Sequence, residues 1–284
     1  MIRVLCVFLT VFLSIAMAED APLRAKGGVV FASPGGRELT LDWYRPDDDQ
    51  VYPGILTIHG GGWMNGTPKG FTPIAKQLAA KGYVVANISY RLAGEAKFPA
   101  AVLDCKAAVR WMRVNAKILG VNPEKIGAVG GSAGGHLAAM MASTGDDERF
   151  IGEGGSGGVS DTLNAVVIMG AGVDQVARVE AAPGKRIENC VVFFGGEYSE
   201  VPEIYALGSP ITHITIETVP VLMLDGGKDR PGERYTDYRK KLDQSGVKNE
   251  FAIVPDARHG EWGKEPFRSL FVSEMAEFFR SLGW

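Results

Sequence analysis

Short, nearly unbroken apolar runs alternate along this chain with longer amphipathic stretches. The runs cover residues 52–59, 83–88, 125–129, 165–170, 219–224 and 250–254. Each is bounded by Gly, Pro or polar residues and reads as a buried strand. Between them, 71–81, 99–116, 234–244, 267–282 and a stretch beginning at His136 read as helices, with Gly82 and Gly246 closing two of them. A looser alternation over 27–45, interrupted by Pro34-Gly35-Gly36, predicts an antiparallel hairpin at a sheet edge. Periodicity fails between Asp174 and His213, where Pro183, Gly184, Gly195, Gly196, Pro202 and Pro210 fall; this predicts a small cap or loop group. Residues 145–160 predict a Gly-rich, acidic surface loop. Strands and helices in this alternation predict an α/β fold, with a mostly parallel central sheet and helices on both faces.

The first eighteen residues stand apart from that pattern. Met1-Ile2-Arg3 opens with a positive charge, 4–15 is almost wholly apolar, and Ala16-Met17-Ala18 has the small-residue spacing of a cleavage site. The apolar run is short for a membrane span, so the expectation is a cleaved signal and a secreted or periplasmic protein without stable membrane association. What remains, 19–284, shows no linker, repeat or low-complexity tract and is expected to form one domain. Charge is nearly balanced, with 30 Lys and Arg against 33 Asp and Glu. No nucleic-acid partner is indicated, since that would want a basic face. Beyond the signal segment Cys105 and Cys190 remain, without metal-ligand spacing; they read as buried small hydrophobes, although export would permit a bridge. No metal or cofactor is called for.

Gly130-Gly131-Ser132-Ala133-Gly134 lies between the strand at 125–129 and the helical stretch after it. Strand, Gly-x-Ser-x-Gly, helix is the context in which a serine is lifted on a sharp turn, with a helix N-terminus behind it to meet developing negative charge. A neutral serine is a poor nucleophile and needs a base, which in turn needs an orienting acid. Of the four histidines, His259 follows the last strand, in the loop Pro255-Asp256-Ala257-Arg258-His259-Gly260, and the chain order serine, acid, histidine selects it. The acid belongs in the loop after 219–224, which offers Asp225 and Asp229. Asp229 has more reach toward His259, while Asp225 could shape the turn; both stay open at this point. Gly60-Gly61-Gly62 can turn peptide N–H groups inward, so Gly61, Gly62 and Ala133 are the expected oxyanion donors, with His59 bracing the loop. Trp63 has two readings of equal weight: stacking on a sugar at the rim, or packing beneath the loop.

These pieces resemble the α/β-hydrolase superfamily and, within it, the exported esterases related to the bacterial BD-FAE and acetylxylan esterase group. The resemblance is carried by His59-Gly60-Gly61-Gly62-Trp63, Ser89-Tyr90-Arg91-Leu92, Phe98-Pro99-Ala100-Ala101, the stretch from Gly131 through His136 to Ala138, and Ser209-Pro210-Ile211-Thr212-His213. One departure is Asp225, which stands before Gly226 where that family often has histidine. The resemblance implies a serine hydrolase of carboxylic esters, frequently acetyl or feruloyl esters of carbohydrate. Hormone-sensitive-lipase-like esterases share the glycine motif and Tyr90-Arg91-Leu92, but usually carry an acidic residue at the position of Gly131. Amide hydrolysis by a peptidase or formamidase uses the same triad. A non-catalytic binding module is the competing class, and such proteins usually lack a triad member.

Overall fold

The computed structural model describes residues 22–284 other than 146, 153 and 185, so the signal expected at 1–18 lies outside the described residues. Its strands are β1 (Leu23–Ala32), β2 (Leu39–Pro46), β3 (Tyr52–Ile58), β4 (Val84–Ile88), β5 (Val121–Gly131), β6 (Ala165–Met169), β7 (Val221–Gly226) and β8 (Asn249–Val254). They form one sheet in the order β1-β2-β4-β3-β5-β6-β7-β8. The β1–β2 and β2–β4 pairs are antiparallel and the remaining pairs parallel. Every residue of β4 and β6 is buried, which is why these strands appear in the sequence as continuous apolar runs and not as alternation.

The helices are α1 (Thr72–Ala80), α2 (Ala100–Val114), α3 (Ala116–Leu119), α4 (Ala133–Ser143), α5 (Gln175–Glu180), α6 (Glu188–Phe194), α7 (Pro202–Leu207), α8 (Thr236–Gln244) and α9 (Phe267–Ser281). Ile74 and Leu78 of α1 pack with Phe271, Met275 and Phe279 of α9 against Ile55, Val85 and Val129 on one sheet face. On the other, Val102, Val109 and Met112 of α2 join Leu137 and Met140 of α4 and Leu242 of α8 against Leu56, Ile58, Val84 and Ala128. Successive strand residues serve opposite layers, as the period of two requires. Helix α4 is buried from Ala133 to Ala142, hence its all-round apolar sequence. Among the described residues no helix is long and apolar enough to cross a membrane.

The stretch from 174 to 213 holds α5, α6 and α7 and a turn at Pro210–His213. At six or seven residues each, these helices are too short for a helical period to emerge in sequence. Cys105 and Cys190 are buried and free. The helix expected from 234 begins at Thr236; Arg234 belongs instead to the short turn Glu233–Tyr235 and points elsewhere.

Helix α4 can approach β3 only because Gly134, in its first turn, lacks a side chain. A Cβ on Gly134 would lie 2.0 Å from Ile58 O, and one on Gly130 2.1 Å from Gly134 O. Both obstacles are backbone atoms, one at the end of β3 and one in the first turn of α4. Gly134→Ala is therefore expected to cost about 3 kcal/mol of unfolding free energy, read by urea denaturation. A loss within experimental error of zero would show that this packing yields easily.

Candidate active site

Strand β5 runs into α4 through Ser132, whose backbone is at φ 54 and ψ −119. A positive φ on a non-glycine residue costs on the order of 1–3 kcal/mol and persists only where the surroundings enforce it. Here Ser132 N–H donates to Met169 O at 2.7 Å, while Ser132 O accepts from His136 N–H at 3.0 Å. These bonds pin the turn to β6 and to α4, and Oγ stands clear of both. Ser132 Oγ lies 3.1 Å from His259 Nε2, and His259 Nδ1 lies 2.8 Å from Asp229 Oδ2. Since a carboxylate only accepts, Nδ1 carries the proton and Nε2 is the acceptor facing the serine hydroxyl. The loops after β5, β7 and β8 thus bring Ser132, Asp229 and His259 together.

Asp229 and Asp225 have different surroundings. Asp225 is buried at the end of β7, where its carboxylate accepts from Gly170 N–H at 3.2 Å and Gly232 N–H at 3.0 Å. Burial pushes its pKa up, opposed by the Gly232 hydrogen bond and the Arg234 charge. It has no hydrogen bond or ion pair with His259 and instead holds the turn that carries Asp229. Arg234 links the two acids: Nη2 is 3.0 Å from Asp229 Oδ1, Nε is 3.9 Å from Asp225 Oδ2, and Nη1 donates to Gly170 O at 3.0 Å. A second bond runs from Nη2 to Asp229 O. No pattern in the sequence marks Arg234, which is there only the first residue of a predicted helix. Gly170 was also missed. At φ 56, its absent Cβ would fall 2.9 Å from the His259 ring and 3.0 Å from Asp229 Oδ2, so only glycine fits beside that pair.

Gly61 and Gly62 lie at φ 120 and 61 in the loop after β3, and Ala133 opens α4. Among the described residues none of their three amides has a protein acceptor. Gly60 packs on the elbow itself, its absent Cβ 2.7 Å from Gly131 O. His59 Nδ1–H donates to Gly60 O at 2.8 Å, its ring stacks on Tyr90 at 4.4 Å, and Tyr90 Oη–H donates to His59 O at 3.0 Å. Burial lowers the pKa of His59, so it braces the loop as a neutral ring.

Trp63 is 2 % exposed. One indole face stacks on Phe193 at 4.5 Å, and the Arg178 guanidinium lies over the ring at 5.7 Å. No face is open to a sugar, so packing beneath the loop is the role that the structure gives it and stacking on substrate is not. Its Nε1–H donates to His136 Nδ1 at 3.2 Å, and His136 Nε2–H donates to Gly208 O at 2.8 Å. Burial brings the His136 pKa down to about 4, and the neutral ring ties the glycine loop to the segment after α7. Trp262, another residue without a sequence signal, packs edge-on to His259 at 5.0 Å and fills the space beside Gly131, whose Cβ would lie 2.7 Å from the indole. An acidic side chain at position 131 has no room.

The serine and histidine open into a cavity of about 650 Å³, walled by Gly62, Ala133, Val173, Asn189, Ile211 and Arg230 among others. Among the described residues no group of three or more His, Cys, Asp or Glu converges as a metal site would require.

A serine lifted on a strand-to-helix turn, facing a histidine and an acid from the loops after the last two strands, defines this molecule as an α/β-hydrolase. The chain matches the profile of the family described as BD-FAE over residues 41–253 and belongs to that family. It is 29 % identical over 254 residues to esterase LipQ of Mycobacterium tuberculosis, spanning 87 % of this chain and 60 % of LipQ. Among solved structures it is similar to a truncated carbohydrate esterase from gut microbiota, with TM-score 0.81 and 27 % identity, covering 91 % of this chain and 95 % of that one. It is also similar to propionate-bound Est2 of Thermogutta terrifontis, with TM-score 0.75 and 27 % identity over 91 % and 94 % of the two chains.

Two outcomes follow from this geometry. Asp229→Asn is expected to lower kcat by about four orders of magnitude, because an amide cannot hold His259 in the working tautomer. Asp225→Asn should instead cost about 1–3 kcal/mol of stability with a smaller loss of rate; steady-state kinetics beside denaturant unfolding separate the two. The second outcome concerns His136. Above its ordinary value of 6.5 both folded and unfolded chains hold the ring neutral; between 6.5 and about 4 only the unfolded chain takes up the proton. Stability therefore falls as pH drops through that window, by roughly 3 kcal/mol in all. His136→Gln lacks this slope, so the stability gap between wild type and variant should narrow from pH 7 to pH 4.5. Parallel curves would remove His136 from the acid response.

Proposed function

We propose that this chain is a serine carboxylic ester hydrolase that removes short acyl groups, acetyl or feruloyl, from carbohydrate outside the cytoplasm. The observation that carries the reading is the unbroken hydrogen-bonded line from Ser132 through His259 to Asp229. Ser132 Oγ attacks the ester carbonyl carbon as its proton passes to His259 Nε2. Asp229 keeps Nδ1 protonated and stabilises the imidazolium, and Arg234 in turn holds Asp229. The carbonyl oxygen becomes an oxyanion that the N–H groups of Gly61, Gly62 and Ala133 receive, donors that the fold leaves free for it. Collapse releases the alcohol with the proton from His259 and leaves an acyl group on Ser132. Water, deprotonated by His259, then hydrolyses that acyl-enzyme and returns the site to its starting state. A binding module would have no use for such a line.

The substrate class is supported by the similarity to a carbohydrate esterase and to a protein solved with propionate, together with the BD-FAE family. Helices α5 to α7 supply no long apolar lid for a lipid tail. Export is supported by the pattern of residues 1–18 alone.

Ser132→Ala should lower kcat by several orders of magnitude while leaving the urea transition in place, and a stoichiometric organophosphate adduct should map to Ser132. A label on another serine would displace the site. Acetylated xylo-oligosaccharides should show a higher kcat/KM than simple alkyl acetates, because sugar binding can orient the ester. A preference for long acyl chains with no gain from a sugar would favour a lipase-like enzyme.

A further inference from the structure

The arginines around the cavity are not equally engaged. Arg234 is committed to Asp229, Asp225 and Gly170 O. Arg178, in the last turn of α5, forms no ion pair among the described residues, and its acceptor there is the neutral Gln175 Oε1 at 3.4 Å. It is half-buried on the Trp63 ring; its charge adds to the burial that lowers the pKa of His136 and opposes the burial that raises that of Cys190. Asn189 also lines the cavity, its Nδ2 3.3 Å from where a Gly62 Cβ would be. Arg230 directly follows Asp229, lines the cavity, is exposed, and has no ion pair among the described residues. Its φ of 46 is unusual for a residue with a side chain.

Three carboxylates share the lining. Asp174 is used at the N-terminus of α5, where Oδ1 accepts from Ala177 N–H at 2.9 Å. Glu233 and Asp237 are exposed, so water and salt screen them. Arg178 sits against an indole in a less polar setting, where its charge acts more strongly on a bound group. A planar guanidinium with unsatisfied donors suits a carboxylate, which it can meet with two parallel hydrogen bonds.

We infer that Arg178, with Asn189 and Arg230 in the same cavity lining, forms a carboxylate-binding subsite, so that the preferred ester carries a negative charge near the scissile bond. The inference rests on the ester-hydrolase reading and narrows its substrate class. The carboxylate can belong to a uronic acid in the leaving sugar or to the far end of a dicarboxylic acyl group.

Binding to Ser132→Ala protein, measured by calorimetry, tests the subsite without turnover. One pair of probes is ethyl hydrogen succinate against diethyl succinate; the other is an acetylated methyl glucuronide against the matching acetylated methyl glucoside. In at least one pair the charged member should bind about tenfold more tightly or better, and the pair that responds identifies which side of the ester bears the charge. Adding Arg178→Gln should remove most of that gain, Arg178→Lys should retain part of it, and Arg230→Gln should reduce it less. Raising the salt concentration should shrink it. The inference is overturned if neither pair favours the charged member, or if Arg178→Gln weakens charged and neutral probes equally. Hydrolysis of p-nitrophenyl acetate by the unmodified chain is scored separately. Its failure would sink the esterase reading, whereas the probe ratios decide the subsite.

Discussion

The close approach of α4 to the end of β3 is the contact on which the site depends. Gly134 lies against Ile58 O and Gly60 against Gly131 O, with no side chain between the two backbones at either point. The approach puts the serine turn and the glycine loop side by side, although they are some seventy residues apart in sequence. The strain at Ser132 is tolerated because Met169 O and His136 N–H, on opposite sides of the turn, both bind its backbone. A looser junction would let the serine relax into an ordinary helical conformation and carry Oγ away from His259. Glycine here serves packing first, and conformational freedom second.

A second layer of order is electrostatic. Two carboxylates, Asp225 and Asp229, sit at the end of one strand and share one arginine. Asp225 is held by backbone amides and fixes the turn, which frees Asp229 to face His259. Arg234 offsets the repulsion between the acids and locks the Asp229 side chain, so the histidine meets an acceptor that does not wander. Pairing of a buried charge is worth more in positioning than in net stability, since desolvation offsets much of the attraction.

The glycine loop is held from its other side by aromatic packing. Trp63 joins Phe193 of α6, and through His136 it reaches Gly208 after α7. The short helices over the cavity are thus bonded to the same loop that presents the oxyanion donors, so their sequence can reshape the cavity wall while the donors remain supported. Asn189 and Arg178, on α6 and α5, are the side chains through which such variation would reach a substrate.

Much of this was legible in the chain itself. Continuous apolar runs marked the buried strands, since a strand covered on both faces has no polar alternation to show. Gly-x-Ser-x-Gly between a strand and a helix marked the elbow, and chain order marked His259. These signals are local: they depend on residues within a few positions of one another. Other features had no local form. The choice between Asp225 and Asp229 turned on which carboxylate faces a histidine thirty residues later. Arg234 is the first residue of the helix predicted over 234–244, whereas the helix starts at Thr236 and leaves Arg234 in the turn before it. Trp63 became a packing residue only when Phe193 and Arg178 covered its faces. The cap helices fell below the length at which a helical period can emerge. The sequence alone determined the α/β layering, the serine turn and the glycine loop, because backbone preference and hydrophobic period act over short range. Only the tertiary structure decided which charges pair and which ring faces stay open, because those depend on parts of the chain that meet when the sheet assembles.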